Sequence, residues 1–260
     1  MKKNLPANSK RANQPTVRLA PSLICLDLCN LEREVARLEA LGLDWLHVDI
    51  LDGQFSPSLP IGLDVVRQLR KKTRLLFDTH LMVRDNEFFI RELTTFGIQR
   101  LCFHPETTLH VDRMIGLIRD QGIEAGIALT PAAPLSFLDY IADRLDFVLL
   151  MLINPGFAGH PGQTQVPYAA RKVAECHAYL QKHGRNIPIE VDGRISFDTI
   201  PNLVAAGADI LVAGTSCLFD KNGSWPENLA RTNQAINTGL KKRKNKSNIH
   251  SLGGTASRLR

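Results

Sequence analysis

Short apolar runs, many of them β-branched, alternate along the chain with longer segments whose apolar residues recur every three or four positions. Eight such runs stand out: VRLAPSLIC (17–25), DWLHVDI (44–50), LLFDTHLMV (75–83), RLCFH (100–104), EAGIALT (124–130), DFVLLMLI (146–153), PIEVDG (188–193) and DILVAG (209–214). The first intervening segment, NLEREVARLEALG, carries Leu31, Val35, Leu38 and Leu41 on one helical face, and Gly42 supplies the stop. Strand, helix, strand throughout predicts a parallel sheet. Eight units at roughly 25 to 40 residues each, with no block of strands or helices alone, favour an α/β fold closed into a single (β/α)8 TIM barrel. A doubly wound open sheet is the alternative. It is disfavoured because no GxGxxG follows the first run and no GxxxxGK[ST] occurs.

Charge divides the chain into three. The 260 residues hold 32 Lys plus Arg against 26 Asp plus Glu, a formal charge of +6. Residues 1–16 contribute four basic residues and no acid, and residues 241–260 contribute seven and no acid, so the body between them stands at −5. The expected organisation is a flexible basic extension (1–16), a catalytic barrel (17–240) and a disordered basic tail (241–260). A charge of +6 read whole points to nucleic acid, but KKRKNKS at 241–247 has no aromatic residue to stack a base, so that partner is not expected. No run is long enough to cross a membrane, and the N-terminus does not lead into an apolar signal core. The cysteines, Cys25, Cys29, Cys102, Cys176 and Cys217, are odd in number and lack a CxxC spacing, which reads as reduced thiols in a cytoplasmic protein.

In a barrel of this kind chemistry sits where strands run into their following loops. Polar residues gather there. Ser22 lies in the first run, His47 and Asp49 share one strand face in the second, His80 lies in the third, His104 and Glu106 follow the fourth, and Asp192 closes the seventh. Any one of these is open to a structural role, as a helix cap or a hydrogen-bonded core histidine. Together, two imidazoles and two carboxylates at strand ends match a borderline divalent ion such as Zn²⁺, Mn²⁺, Fe²⁺ or Co²⁺. Gly-rich turns after the last three strands offer backbone N–H groups to an anion: Gly156, Phe157, Ala158 and Gly159, then Gly193 with Arg194, then Gly214 with Thr215. NPGFAGHPG is also long enough to fold over a substrate as a lid.

At this point the sequence resembles the ribulose-phosphate 3-epimerases and their hexulose-phosphate relatives. The resemblance runs over about residues 17–220 and rests on APSLICLDL, HVDILDGQF, DTHLMV, FHPE, NPGFAG, EVDG and LVAGTSCLF, all in the family's order and spacing. It implies a TIM barrel of the ribulose-phosphate-binding type with one divalent metal ion per chain, held by His47, Asp49, His80 and Asp192, and no organic cofactor. It implies further that Asp49 and Asp192 are an acid/base pair working through a metal-stabilised enediolate, that Ser22 and His80 contact the sugar, and that Leu51, Met82 and Met151 form a hydrophobic wall. The implied substrate is a phosphorylated ketose, ribulose 5-phosphate or allulose 6-phosphate, and the implied assembly is a homo-oligomer.

The chain departs from the family pattern at several positions. Leu51 replaces the usual Met, Ser58 and Pro60 replace Asn and Thr, His160 stands where the loop usually has Gln, and Arg194 follows EVDG where glycine is usual. Arg194 either adds a charge-assisted bond to the phosphate or crowds the space that glycine leaves open. FHPET, GFAG and GTS lean toward the allulose-6-phosphate 3-epimerase branch. Decarboxylases on the same barrel place a lysine where Leu51 stands, and none of the eight runs contains a lysine. A non-catalytic sugar-phosphate-binding barrel, or one associated with nucleic acid, is the remaining alternative.

Overall fold

The computed structural model describes residues 17–155 and 162–253, with side chains described through residue 245. Eight parallel strands form the sheet: β1 (Arg18–Pro21), β2 (Trp45–Leu51), β3 (Leu76–Met82), β4 (Arg100–Phe103), β5 (Glu124–Leu129), β6 (Phe147–Met151), β7 (Ile189–Asp192) and β8 (Ile210–Ala213). Each falls in one of the eight apolar runs, with β2 extending one residue past its run to Leu51. Every strand pairs with its neighbours in chain order, and β1 pairs with β8. The remaining seam, between β1 and β2, is joined by a single parallel bridge from Ser22 to His47. The sheet is therefore a nearly closed barrel. The first run yields only four strand residues because the chain turns into a 3-10 segment, Leu23–Cys25, straight after the bridge.

Among the described residues seven α-helices cover the outside: α1 (Leu31–Ala40), α2 (Leu63–Arg70), α3 (Asn86–Leu93), α4 (Val111–Arg119), α5 (Ala169–Lys182), α6 (Ile200–Ala206) and α7 (Trp225–Gly253). In α1, Leu31, Val35 and Leu38 are buried as the spacing predicts. Gly42, at φ 76°, ends the helix: Leu43 N–H reaches back to the Leu38 carbonyl and Gly42 N–H to that of Glu39. The strand–helix alternation fails once. Between β5 and β6 there are two 3-10 turns, Leu135–Leu138 and Ala142–Arg144, and no α-helix. Pro131 and Pro134 stand at the start of that connection, where they remove backbone donors and restrict the residues before them.

The basic segment also differs from expectation. α7 does not stop at residue 240 but continues through Gly253. Gly239 allows this helix to lie against α6, since a Cβ there would sit 2.6 Å from the Val204 Cβ. Beyond it, Lys242 Nζ donates to Asn202 (3.2 Å), and Arg243 bonds Asp209 (3.0 Å) and the Gly207 carbonyl (3.1 Å). Those contacts hold 241–245 to the barrel. Residues 1–16 and 254–260 lie outside the described residues.

The core is layered. A large cluster fills the space between strands and helices, built from outward-facing strand residues such as Leu46, Val48, Phe77, Leu101 and Val148 with helix residues such as Val35, Ile90 and Ile115. Two smaller clusters lie inside the barrel. Ala20, Trp45 and Ile210 pack together in one, and Cys102, Ala128, Phe147, Leu149, Met151 and Ile153 in the other. The rest of the interior is polar and charged, and that is where the site is built.

Candidate metal centre and substrate cavity

Three strands each present two polar side chains at positions i and i+2, facing the same way: His47 and Asp49 on β2, Asp78 and His80 on β3, Glu190 and Asp192 on β7. The β2–β3 register pairs His47 with Asp78 and Asp49 with His80. Two levels of charge result, one above the other.

The upper level brings together the four residues singled out from sequence. Ligating atoms of His47, Asp49, His80 and Asp192 all lie within 4.8 Å of one another. Asp49 Oδ1 is 3.3 Å from His47 Nε2 and 3.3 Å from His80 Nδ1, yet none of these three buried atoms has a hydrogen-bond partner. Buried polar atoms are nearly always paired, so unpaired donors converging on one point fit a ligand shared by all of them. Nitrogen and carboxylate donors in this number suit a divalent ion of the Zn²⁺, Mn²⁺, Fe²⁺ or Co²⁺ type. Ser22, buried, donates from Oγ to Asp49 Oδ2 (3.2 Å) and fixes the carboxylate plane.

The lower level went unrecognised in the sequence. His47 Nδ1 lies 2.9 Å from Asp78 Oδ2 and 3.3 Å from Glu190 Oε1. Arg100 Nη1 sits 3.4 Å from Asp78 and 3.5 Å from Glu190, its Nε contacts Glu124 at 3.1 Å, and its guanidinium stacks 3.6 Å over the Phe147 ring. Gly126 makes room for that ring, because a Cβ there would come within 2.6 Å of it. A proton on His47 Nδ1 donated to Asp78 leaves the Nε2 lone pair facing the upper centre. His80 is set in a similar way. Its Nε2 is 2.9 Å from Nε2 of His104, which stacks on Phe55 (ring centroids 4.7 Å apart) and has Glu106 at 3.8 Å on its other side. Burial, reinforced by His80, holds His104 neutral, so it can accept the His80 proton.

The two upper carboxylates titrate apart. Burial, and then the charge of Asp49, push Asp192 up to about 6. Burial also works against ionisation of Asp49, but the adjacent His47 and His80 outweigh it and hold that carboxyl well below the usual range. Two carboxylates whose ionisation is pushed in opposite directions therefore share one centre.

A cavity open to solvent rises from this centre. Ser22, Asp49, Asp192, Gly193, Arg194, Gly214 and Thr215 line it, with Met82 and Met151 on its apolar side. Leu51, expected in the same wall, is buried but is not among the lining residues. His47 and His80 are fully buried and do not reach the cavity surface. Gly156, Phe157, Ala158 and Gly159 lie outside the described residues. Gly193 has φ 117° and a Cβ there would meet Ile153 at 2.7 Å, so only glycine fits. Its neighbour Arg194 takes φ 51°, a left-handed conformation costing a non-glycine residue about 1 kcal/mol.

Comparison with known proteins agrees with this geometry. Residues 18–219 match the Ribulose-phosphate 3 epimerase family. Ribulose-phosphate 3-epimerase 1 of Cupriavidus necator is 39% identical over 234 residues, covering 88% of this chain and 96% of its own. Ribulose-phosphate 3-epimerase of Escherichia coli is 39% identical over 204 residues, covering 78% and 89%. Among solved structures, 3-hexulose-6-phosphate synthase from Salmonella typhimurium aligns over 85% of this chain and 99% of its own, with a TM-score of 0.61 at 15% identity. At that identity the likeness is one of fold. No helix among the described residues is long and apolar enough to cross a membrane.

Proposed function

The chain belongs to the ribulose-phosphate 3-epimerase family, and from that premise we propose that it inverts C3 of a phosphorylated ketose by proton transfer between Asp49 and Asp192. The observation carrying this reading is the pair itself: two carboxylates whose ligating atoms lie within 4.8 Å at one centre, from β2 and β7 with β1 and β8 between them. Inverting a carbon next to a ketone requires removing its proton on one face and delivering another on the opposite face. Asp49, ionised, is poised to take a proton, and Asp192, raised toward neutrality, to return one. In the reverse direction the roles exchange. The electron pair left at C3 delocalises into the ketone as an enediolate.

His47, Asp49, His80 and Asp192 would hold a divalent ion, which when bound supplies Lewis-acid stabilisation of negative charge on the substrate's oxygens. Ser22 keeps the Asp49 carboxylate in one orientation, and His104 and Asp78 keep the two imidazoles in the tautomers that face the centre. Met82 and Met151 form an apolar side that limits water around the reacting carbon. Backbone N–H groups of the turns at Gly193 and at Gly214–Thr215 suit the phosphate end, as do those of 156–159 in the family pattern.

The test is proton NMR in D2O with added Mn²⁺ or Zn²⁺, comparing ribulose 5-phosphate with allulose 6-phosphate. Deuterium incorporation at C3 of one of them is the expected result and identifies the substrate. Absence of exchange in every ketose phosphate, in a metal-loaded folded protein, would leave a sugar-phosphate-binding barrel without catalysis.

A further inference from the structure

The cavity has an unbalanced charge. Of the residues lining it, the charged ones are Asp49, Asp192 and Arg194, so Arg194 is the one basic side chain facing it among the described residues. A divalent ion at the four-residue centre would be offset by the two aspartates that hold it. A phosphate dianion at the other end then has a single side-chain cation within the described walls. Arg194 is also the one non-glycine residue described with positive φ. Glycine would adopt that conformation at no steric cost, and strain of this kind persists where surrounding contacts over-determine it. Here Gln165 supplies such contacts, its Nε2 donating to the carbonyls of both Gly193 (2.9 Å) and Arg194 (3.0 Å). The turn is fixed, and with it the point from which the guanidinium departs.

We infer that Arg194 is a specificity-determining residue that binds the substrate's phosphate through its guanidinium, adding a side-chain charge to the backbone grip of the Gly193 and Gly214 turns. This rests on the reading of the cavity as a ketose-phosphate site and deepens it. A planar fork pre-set on a rigid turn matches the geometry of phosphate oxygens, and a charge-assisted bond of this kind exceeds a neutral one in strength. Discrimination between phosphorylated and unphosphorylated ketoses is then concentrated in one side chain, and it weakens with ionic strength.

The test is calorimetric titration of inorganic phosphate into the full-length, metal-loaded protein, as wild type, Arg194→Gly and Arg194→Lys. The glycine variant removes the charge, so its phosphate Kd should rise about tenfold while a cooperative thermal transition shows that it remains folded. The lysine variant keeps the charge without the fork and should fall between the two. The ratio of kcat/KM for a phosphorylated ketose to that for the same ketose without phosphate should fall about tenfold in Arg194→Gly. A phosphate Kd in Arg194→Gly within twofold of wild type would overturn the inference, including the case in which phosphate binds the metal instead. Because phosphate binding is read without turnover, a wild type that binds phosphate in an Arg194-dependent way but never exchanges C3–H upholds this inference while sinking the epimerase reading.

Discussion

Two clusters inside this barrel share one histidine and look alike by residue type, burial and spacing, yet they differ in what they lack. The upper one joins His47 Nε2 to Asp49, His80 and Asp192; the lower joins His47 Nδ1 to Asp78 and Glu190. Each has ligand atoms close enough to share an ion. The lower cluster already contains a cation, because Arg100 lies between its carboxylates and is sandwiched by Phe147 at 3.6 Å and Trp45 at 4.6 Å. Both clusters hold buried atoms without a hydrogen-bond partner, but those of the lower one include Asp78 and Glu190 oxygens beside Arg100, whereas the upper one has no Lys or Arg within it, among the described residues, to offset its carboxylates. Ligand spacing alone therefore does not identify a metal centre; the local charge count does. The lower cluster is a buried ion network that bonds His47 from below, and the upper one is the proposed site of the chemistry.

The sharpest way to break this division is to remove charge from each level in turn. Asp49→Asn or Asp192→Asn should lower C3–H exchange by about 10²- to 10⁴-fold, the usual range for an acid or base acting in the transition state. Solvent deuterium incorporation measures this, and exchange at the wild-type rate in either variant would refute the assignment. The same replacements should leave the fold intact. Below them, Arg100→Met should do the opposite, destabilising the protein by about 3 to 5 kcal/mol in urea denaturation, because the buried Asp78 carboxylate loses its cation. If that variant proved as stable as wild type, the lower cluster would not be an ion network. A subtler effect follows from Asp78→Asn, which can still hydrogen-bond His47 but no longer enforces its tautomer. Metal affinity should drop about 10- to 100-fold, read by competition with a chelator, and an unchanged affinity would separate the two levels.

The polar alternation that organises both clusters was present in the sequence. His47 and Asp49 were recognised as a same-face pair two residues apart; Asp78 with His80, and Glu190 with Asp192, have the same spacing on β3 and β7. Reading strand ends alone picked the upper member of each pair, since chemistry in such barrels gathers at the loop side. Arg100 was harder to see. It opens β4, and only the register that sets Asp78 opposite Arg100 places it beside His47. The barrel itself was legible because strand runs need only local alternation, whereas the β5–β6 connection misled because its apolar spacing resembles a helix and its prolines weaken one. In α7 the signal was charge: seven basic residues without an acid read as a solvated tail, but Lys242 and Arg243 find Asn202 and Asp209 across the α6 end, partners that no local pattern announces.

The smallest effect expected is at Glu190, and its sign tests how charge is distributed in the lower level. Burial, and then the charge of Asp78, push Glu190 up to about 8, whereas Arg100 and hydrogen bonds from His47 and Glu190 overcome burial and hold Asp78 low. The pair thus keeps one proton, on Glu190, and one negative charge, on Asp78, matched to Arg100. Glutamine copies the protonated glutamate, so Glu190→Gln should change stability by less than about 1 kcal/mol at about pH 4, where folded and unfolded wild type both hold the proton. The folded state holds this proton where the unfolded chain, with an ordinary glutamate, has released it. Native Glu190 therefore binds more protons than unfolded Glu190 between the ordinary glutamate range and about pH 8, and wild-type stability declines as pH rises across that interval. Glutamine does not titrate, so the stability of Glu190→Gln relative to wild type should rise with pH and level off above about 8. Urea denaturation at pH 5, 6.5 and 8 measures it. A relative stability that stayed flat across pH 5 to 8 would mean that Glu190 holds no proton in the folded state, and the assignment of Asp78 as the one negative charge facing Arg100 would fail.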